Sequence, residues 1–310
     1  MTKISYVDIG LRYMLSPYYA PVARVKSGDI VTLETQDATG GQIRREGDVE
    51  RVPWGNPVVG PVYIENAENG DSVSVTIEEI KPLEGQGTTY VGEFTDSYAT
   101  GTSIMKFAGE PLPKSVTSCR IHDGRVFLKN GISLPYEPML GVVGVAPSLE
   151  LESMSTSYDP GHYGGNLDIP EICPGNTVFL PVFHQGGLVY VGDAHAVQGD
   201  GEITGTAVEM SAEVRLRLAV HKGKKIECPR IETEKELICV ATTNYGKCLK
   251  EAIVEAFLQL SIWIETDYGL NRHDAFILCG QAGKIRIGNL WTVAAKMQKS
   301  ILAPLVKTKL

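Results

Sequence analysis

The chain has 310 residues, of which 43% are hydrophobic and 21% charged, and a formal net charge of −8; these values are ordinary for a globular protein. An acidic chain does not suit nonspecific binding to nucleic acid, because a phosphate backbone favours a basic surface. No stretch approaches the roughly 18 apolar residues of a membrane span, and the N-terminus has no apolar run of the signal-peptide kind. We therefore expect a cytoplasmic protein that binds neither nucleic acid nor membranes.

The six cysteines are spread along the chain, and no two of them form a C-x-x-C pair. Isolated cysteines in a large chain without a secretion signal are ordinarily reduced thiols. We therefore expect free cysteines and no zinc site built from cysteine.

Short runs rich in Val, Ile and Thr occupy most of the chain before residue 240, and turn residues separate them. Such runs are typical of strands; they include "DIVTLETQD", "GPVYIENA", "DSVSVTIEEI", "RVFLKNGISLP" and "NTVFLPVF". In the third run Val73, Val75 and Ile77 alternate with polar residues, so we expect them on one face of a strand. Short turns between successive strands favour an antiparallel arrangement.

After residue 240 the apolar residues follow helical spacing. The segment "YGKCLKEAIVEAFLQLSIWIETDYGL" predicts a long helix that ends at Gly269 and buries Trp263. Its predicted apolar face consists of Leu249, Ile253, Ala256, Phe257, Leu260 and Ile264. "NRHDAFILCGQAG" predicts a shorter helix with Asn271 as its N-cap, and "KIRIGNLW" predicts a closing strand.

These elements predict an α+β fold that is mainly β. We expect an antiparallel β-sandwich or barrel-like core with a C-terminal helical segment packed on it. No linker or low-complexity segment divides the chain, so we expect one domain over residues 1–310. Two β subdomains, at about 1–145 and 146–310, remain an alternative.

A dense polar segment, "VGDAHAVQGDGE", follows the apolar run "NTVFLPVFHQGGLVYV". If "YVGDAHA" ends a strand, Asp193 and His195 project to the same face. "QGDG" then predicts a turn that brings Gln198, Asp200 and Glu202 towards this pair. Asp and His on one face form half of a divalent metal site; the alternative is that they are ordinary turn residues and a hydrogen-bonded histidine.

The segment "GDAHAVQGDGEITGTAVEM" closely resembles the signature region of the acetamidase/formamidase family, whose members are metal-dependent enzymes that hydrolyse small amides. Five further segments resemble the family in the same order: "VKSGDIVTLETQDATGGQI", "NPVVGPVYIENAENGDSVSVTIEEI", "MLGVVGVAP", "HYGGNLDIPEICPGNTVFLPV" and "HDAFILCGQAGKIRIGNL". The resemblance therefore spans nearly the whole chain, and several motifs in order are more specific than any one of them.

The resemblance implies a compact β-rich enzyme that cleaves C–N bonds to give ammonia and a carboxylate. The family positions are occupied here by Asp37, Asn166, Asp168, Asp193, His195, Gln198 and Glu202. One departure is that some members carry His before the first strand, where this chain has "SPYYAPVARV". The chain is also at the short end of the family.

On this basis we assign provisional roles for the hydrolysis of a small amide. The predicted metal ligands are Asp37, Asp193 and His195. Mixed O and N donors favour Zn²⁺, with Mn²⁺ or Ca²⁺ as alternatives. We predict Glu202 as the general base that later passes its proton to the leaving nitrogen, and Gln198 and Asn166 as groups that bind the amide or stabilise the oxyanion.

Several of these residues also have a purely structural interpretation. Asp37 suits a cap of the turn "DATGG", and Asn166 suits a loop residue that satisfies backbone groups. We expect Glu209 and Glu213 to face solvent on a strand that follows the site.

Two alternatives concern the function of the whole protein. It could keep the fold as a non-catalytic β protein that binds a small molecule or a metal, or it could hydrolyse cyclic amides (lactams). A sheet-rich chain with open edges also favours a homodimer or a larger homo-oligomer.

Overall fold

The computed structural model describes residues 2–48, 55–91, 109–110, 113–157, 159–244 and 247–306. Within these ranges most of the regular structure is β-strand, and nearly all strand pairs are antiparallel. The prediction of an α+β protein that is mainly β is confirmed.

Two large sheets form the body of the protein. The nine-stranded sheet has, in spatial order, β1 (Thr2–Ser5), β4 (Ile30–Thr35), β17 (Ala212–His221), β6 (Ser72–Pro82), β14 (Thr177–Pro181), β18 (Arg230–Glu232), β19 (Glu236–Thr242), β21 (Thr292–Gln298) and β20 (Lys284–Ile287). The ten-stranded sheet has the order β10 (Ser133–Pro135), β9 (Arg125–Phe127), β8 (Ser115–His122), β7 (Gln86–Val91), β16 (Glu209–Met210), β15 (Val189–His195), β11 (Met139–Val145) and β13 (Gly164–Asn166). Its other members are β5 (Val58–Ile64), which pairs with β15, and β3 (Ala23–Val25), which pairs with β5.

The smaller elements complete the described fold. β2 (Met14–Leu15) pairs with β12 (Met154–Ser155). The helices are α1 (Tyr6–Ile9), α2 (Leu249–Tyr268), α3 (Arg272–Ala282) and α4 (Lys299–Val306). A 3₁₀ turn at Lys129–Gly131 divides the predicted strand "RVFLKNGISLP" into β9 and β10.

The inner faces of the two large sheets share one apolar core, so they pack as a sandwich and do not close into a barrel. Val73, Val75 and Ile77 of β6 are fully buried in this core, as their alternation predicted. Val142 of β11 and Val191 of β15 enter it from the other sheet. The strands that carry polar residues at their ends are thus held rigidly by their apolar middles.

Strand β19 faces two cores, because successive side chains of a strand point to opposite faces. Ile238 and Val240 belong to the sandwich core. Leu237 and Cys239 belong to a second core, which is built mainly from β21, α2 and α3. The C-terminal helical segment therefore packs on the outer face of the nine-stranded sheet, as predicted.

The ends of the two helices agree with the sequence signals. Gly269 adopts the left-handed conformation at φ 76° and donates its N–H to the carbonyl of Glu265, which a glycine does without steric cost. The side chain of Asn271 accepts a hydrogen bond from the N–H of Asp274 and so begins α3.

The buried face of α2 differs in part from the prediction. Trp263 is 4% exposed and lies in the second core, as expected. Leu249 is 43% exposed, so its predicted burial was wrong. The predicted residues Ala256, Leu260 and Ile264 are buried, and Ala252 is buried as well.

The segment "KIRIGNLW" does form a strand, β20, but it does not close the fold. β21 follows and lies between β19 and β20, and α4 follows β21. The nine-stranded sheet takes strands from both sides of residue 145; the single domain over 1–310 and the alternative division into 1–145 and 146–310 stay predictions.

The six cysteines are free, as expected. Among the described residues, no helix combines the length and hydrophobicity that a membrane crossing needs.

Candidate metal centre and active site

The end of β15 carries the first two residues of the candidate site. Asp193 and His195 are 2% and 1% exposed, and Oδ1 of Asp193 lies 3.4 Å from Nε2 of His195. The two side chains therefore come together as the spacing predicted. Asp193 has a φ of 57°, a left-handed conformation that is uncommon outside glycine and often marks functional sites.

Neighbouring strands bring two more carboxylates to the same histidine. Asp168 comes two residues after β13, and its Oδ1 lies 3.9 Å from Nε2 of His195. Glu209 of β16 pairs directly with His195 of β15, and its Oε2 lies 3.2 Å from Nε2. We expected Glu209 to face solvent, but it is only 3% exposed. That expectation was wrong because β16 is an inner strand, between β15 and β7.

Hydrogen bonds hold one oxygen of each aspartate. Nδ2 of Asn289 donates to Oδ2 of Asp168 at 2.7 Å. Nδ2 of Asn56 donates to Oδ2 of Asp193 at 3.0 Å. In both residues the other oxygen, Oδ1, is left to face His195.

The histidine and the glutamate are held in the same way. Nδ1 of His195 lies 2.9 Å from Oε1 of Gln198, and Nε2 of Gln198 donates to the carbonyl of Asp168 at 2.8 Å. Oε1 of Gln198 must therefore accept, and Nδ1 of His195 donates to it. The N–H of Ala207 donates to Oε1 of Glu209 at 2.8 Å, which leaves Oε2 of Glu209 facing His195.

Four side-chain atoms consequently lie close together. In the described part of the chain, these four buried atoms have no hydrogen-bond partner: Oδ1 of Asp168, Oδ1 of Asp193, Nε2 of His195 and Oε2 of Glu209. Leaving a buried polar atom unpaired costs about 1–3 kcal/mol, so four in one place indicate a missing partner. Carboxylate oxygens and an imidazole nitrogen are donors to a divalent cation, and the ligand atoms of Asp168, Asp193 and His195 all lie within 4.8 Å of one another.

The electrostatics of the cluster also indicate a cation. Burial, followed by the charge of Asp193, raises the pKa of Asp168 to about 7. Burial raises the pKa of Glu209 to about 7 as well. Burial alone would lower the pKa of His195, but the charges of Glu209 and Asp193 outweigh it and raise this pKa well above its ordinary value. The cluster therefore holds excess negative charge that a cation would offset.

Glu202 lies beside these four residues in a different setting. It sits in a turn with a φ of 44° and belongs to no strand. Burial, followed by the charge of Asp168, raises the pKa of Glu202 well above its ordinary value. A ligand atom of Glu202 also lies within 4.8 Å of ligand atoms of His195 and Glu209.

Comparison with known proteins places this chain in a family. The model of the Acetamidase/Formamidase family matches residues 15–159 and 155–287 of the chain. The chain belongs to the acetamidase/formamidase family. The resemblance seen in the sequence is thereby confirmed.

Solved structures of similar proteins share the fold along almost the whole chain. The acetamidase from Yersinia enterocolitica is 32% identical, with a TM-score of 0.88, over 97% of this chain and 92% of that one. The acetamidase from Bacillus halodurans is 29% identical, with a TM-score of 0.87, over 98% of this chain and 99% of that one.

Curated relatives match a smaller share of the chain than the solved structures do. The formamidase of Methylophilus methylotrophus is 26% identical over 258 residues, which cover 65% of this chain and 61% of that protein. The chain spans about three fifths of the length of the curated relatives that it matches.

The two residues predicted to bind the amide form hydrogen bonds to other protein groups of the site instead. Oδ1 of Asn166 accepts from Asn56, and Nδ2 of Asn166 donates to the carbonyl of Ser157 at 3.2 Å. Gln198 holds His195 with its oxygen and two backbone carbonyls with its nitrogen. Both residues are therefore placed to orient other groups of the candidate site.

Asp37 lies apart from the four converging atoms. Its Oδ1 accepts hydrogen bonds from the N–H and hydroxyl of Thr39 and from the N–H of Gly41, so it caps the turn "DATGG". Within the described ranges, Asp37 belongs to neither group of ligand atoms that lie within 4.8 Å. It does line a narrow cleft together with Arg44, Gln86 and Glu209.

Asn56 and Asn289 were not predicted as site residues, Asp168 was given no role, and Glu209 was expected in solvent. The quoted family segments contain all four residues. A further signal was Gly141 in "MLGVVG": a Cβ atom there would clash with Oδ1 of Asp168 and Oδ2 of Asp193. Only glycine allows the backbone of β11 to approach the carboxylates this closely.

Proposed function

We propose that this protein is a metal-dependent amidase that cleaves the C–N bond of small linear amides, such as formamide and acetamide, to a carboxylate and ammonia. Membership of the acetamidase/formamidase family supports the reaction. The observation that carries the proposal is the convergence of four buried, unpartnered ligand atoms at the ends of β15 and its neighbours.

We assign the divalent ion to Asp168, Asp193, His195 and Glu209. Three carboxylates and one imidazole suit Zn²⁺, with Mn²⁺ or Ca²⁺ as alternatives. A divalent ion bound by this set supplies two of the needs of amide hydrolysis, an acidified water and a polarised carbonyl. This assignment replaces Asp37 of the sequence-based ligand set by Asp168 and Glu209.

The remaining need is a proton for the departing nitrogen, and Glu202 is placed to supply it. Its carboxyl group has an oxygen within 4.8 Å of ligand atoms of His195 and Glu209, and burial raises its pKa, which makes the carboxylate a stronger base. Glu202 therefore acts as general base and then as general acid. Asn166 and Gln198 hold neighbouring groups of the site in place by hydrogen bonds.

The cleft beside Glu209 is the approach that we assign to the amide. Asp37, Arg44 and Gln86 give it a polar lining. A second, wider groove of about 570 Å³ reaches Gln198 and does not include any of the four ligands among its lining residues.

We also propose a cytoplasmic homo-oligomer. Six free cysteines suit a reducing compartment. Strand β20 ends the nine-stranded sheet and exposes 47% of Ile285; an apolar edge strand favours pairing with a second copy.

The test is an ammonia-release assay on a panel of formamide, acetamide, propionamide and a small lactam. The protein is assayed as purified, after treatment with a chelator, and after addition of Zn²⁺, Mn²⁺ or Ca²⁺. We expect turnover of the linear amides, its loss with the chelator and its recovery with Zn²⁺. Turnover that survives complete metal removal would exclude the metal assignment, and turnover of the lactam alone would replace the substrate class. Metal binding without any turnover would identify a non-catalytic binding protein.

A further inference from the structure

Two asparagines stand behind the metal ligands, and each contacts one aspartate. Asn56 comes just before β5, and Asn289 lies between β20 and β21. Nδ2 of Asn56 also donates to Oδ1 of Asn166 at 3.1 Å. Nδ2 of Asn289 also donates to the main-chain carbonyl of Asn166 at 3.0 Å. The two carboxamides therefore converge on Asn166 from opposite ends of the chain.

The hydrogen-bond network fixes which end of each carboxamide faces its aspartate. Oδ1 of Asn289 accepts from the N–H of Trp291 at 2.9 Å, so its Nδ2 must face Asp168. Nδ2 of Asn166 donates to the carbonyl of Ser157, so its Oδ1 must accept. Asn56 must then present its Nδ2 both to Asn166 and to Asp193, because these partners offer only acceptors.

This arrangement leaves each aspartate a single oxygen for coordination. Oδ2 of Asp168 and Oδ2 of Asp193 each have a donor from an asparagine. Gly141 packs against both carboxylates so closely that a Cβ atom would clash, so only glycine leaves room for them in this orientation. With Oδ2 held by a donor, each aspartate would offer its Oδ1 to an ion.

We propose that Asn56 and Asn289 are positioning residues that keep Asp193 and Asp168 in one-oxygen coordination, and that they thereby make the site discriminate against Ca²⁺ in favour of a smaller ion such as Zn²⁺. Ca²⁺ takes 6–8 oxygen ligands, and carboxylates often bind it through both oxygens. Zn²⁺ is satisfied by about four donors. The inference rests on the proposed function, because it needs an ion at the four converging atoms.

The experiment compares Zn²⁺ and Ca²⁺ binding to the metal-free protein and to two variants. Asn56→Gly removes the side chain without strain, because Asn56 has a φ of 57° that glycine tolerates. Asn289→Ala removes the other donor. The control is Asn130→Gly, since Asn130 is exposed and has a similar φ of 68°. Dissociation constants are measured by titration calorimetry with a competing chelator.

Partners that orient metal ligands are typically worth about 10–100-fold in affinity. We therefore expect each variant to bind Zn²⁺ about 10–100-fold more weakly, while Ca²⁺ binding stays unchanged or strengthens. The ratio of the two constants is the decisive readout. X-ray absorption at the zinc edge of the loaded protein should also detect an added oxygen neighbour in the variants but not in the control.

The outcomes separate this inference from the proposed function. Wild-type protein that binds neither ion overturns the metal assignment itself. Wild-type protein that binds Zn²⁺, with variants that keep the ratio or lose both ions equally, overturns the positioning role. Asn289 is fully buried, so Asn289→Ala could fail to fold; Asn56→Gly, at a partly exposed position, then decides the result.

Discussion

Asp71 and Asp193 look alike in the sequence and differ in the folded protein. Each follows a glycine at one end of a strand, and each is almost fully buried, with exposures of 4% and 2%. Both oxygens of Asp71 are occupied: Oδ1 accepts from the N–H of Gly223, and Oδ2 accepts from the N–H of Glu68 and from Lys222. Asp193 has one oxygen held by Asn56, and its other oxygen has no hydrogen-bond partner in the described structure.

The difference shows that burial alone does not mark a functional carboxylate. Burial by itself would raise the pKa of Asp71, but hydrogen bonds from Lys222, Gly223 and Glu68 outweigh it and lower this pKa. In the metal centre, burial and the charge of Asp193 raise the pKa of Asp168 to about 7. The carboxylate of Asp71 is therefore satisfied by the fold, whereas Asp168, Asp193 and Glu209 each keep one oxygen without a hydrogen-bond partner among the described residues.

The largest expected effect is the loss of the metal from Asp168→Asn and Asp193→Asn. Each change removes one of four donors, so we expect little bound metal and activity at background. The metal-free form should keep its stability or gain some, because a repelling carboxylate is removed from a buried cluster. Elemental analysis, ammonia release and thermal unfolding with a chelator measure the three quantities. Full metal content in both variants would contradict the ligand assignment.

The second-largest expected effect distinguishes the roles of Glu202 and Glu209. Glu202→Gln keeps the size of the side chain but cannot take up a proton, and positioned acid–base groups are worth about 10²–10⁴ in rate. We expect a loss of kcat of that order with near-normal metal content and little change in KM. Glu209→Gln, the matched control, should instead lose the metal, because Oε2 of Glu209 is one of the four converging atoms. If Glu202→Gln also loses the metal, Glu202 is a ligand.

The local parts of the fold could be predicted from the sequence. Alternation in "DSVSVTIEEI" gave a strand face, and Gly269 and Asn271 gave two helix ends. The approach of Asp193 to His195 is also local, because the two residues lie two positions apart on β15. Each of these features is set by residues within a few positions of one another.

The rest of the centre depends on strand pairing, which short-range patterns do not specify. Asn289 and Asp168 are 121 residues apart, and Asn56 and Asp193 are 137 residues apart. Glu209 looked like a solvent-facing residue because its burial comes from two neighbouring strands, β15 and β7. The Gly-Asp pairs at residues 71 and 193 could not be distinguished either, since their hydrogen-bond partners come from distant segments.

The smallest expected effect concerns Asp71 itself. Asp71→Asn replaces an oxygen by a donor that faces other donors, so one N–H loses its acceptor. We expect a loss of about 1–3 kcal/mol in the free energy of unfolding at neutral pH, with normal metal content and normal activity. Urea unfolding of the wild type and the variant, together with elemental analysis, measures this.

The pH dependence of the stability lost in Asp71→Asn is a stricter test. The folded-state pKa of Asp71 lies below its ordinary value of 3.8, so the folded state binds the proton more weakly than the unfolded state does. The charged carboxylate then contributes stability above pH 3.8, and the contribution is lost as the pH falls through the lower, folded-state value. The difference between wild type and Asp71→Asn should therefore be constant from neutral pH down to about pH 5 and shrink below about pH 4. A difference that stays constant across this range would show that Asp71 stabilises the turn by its shape and not by its charge, and the contrast with the carboxylates of the metal centre would then rest on their unpartnered atoms alone.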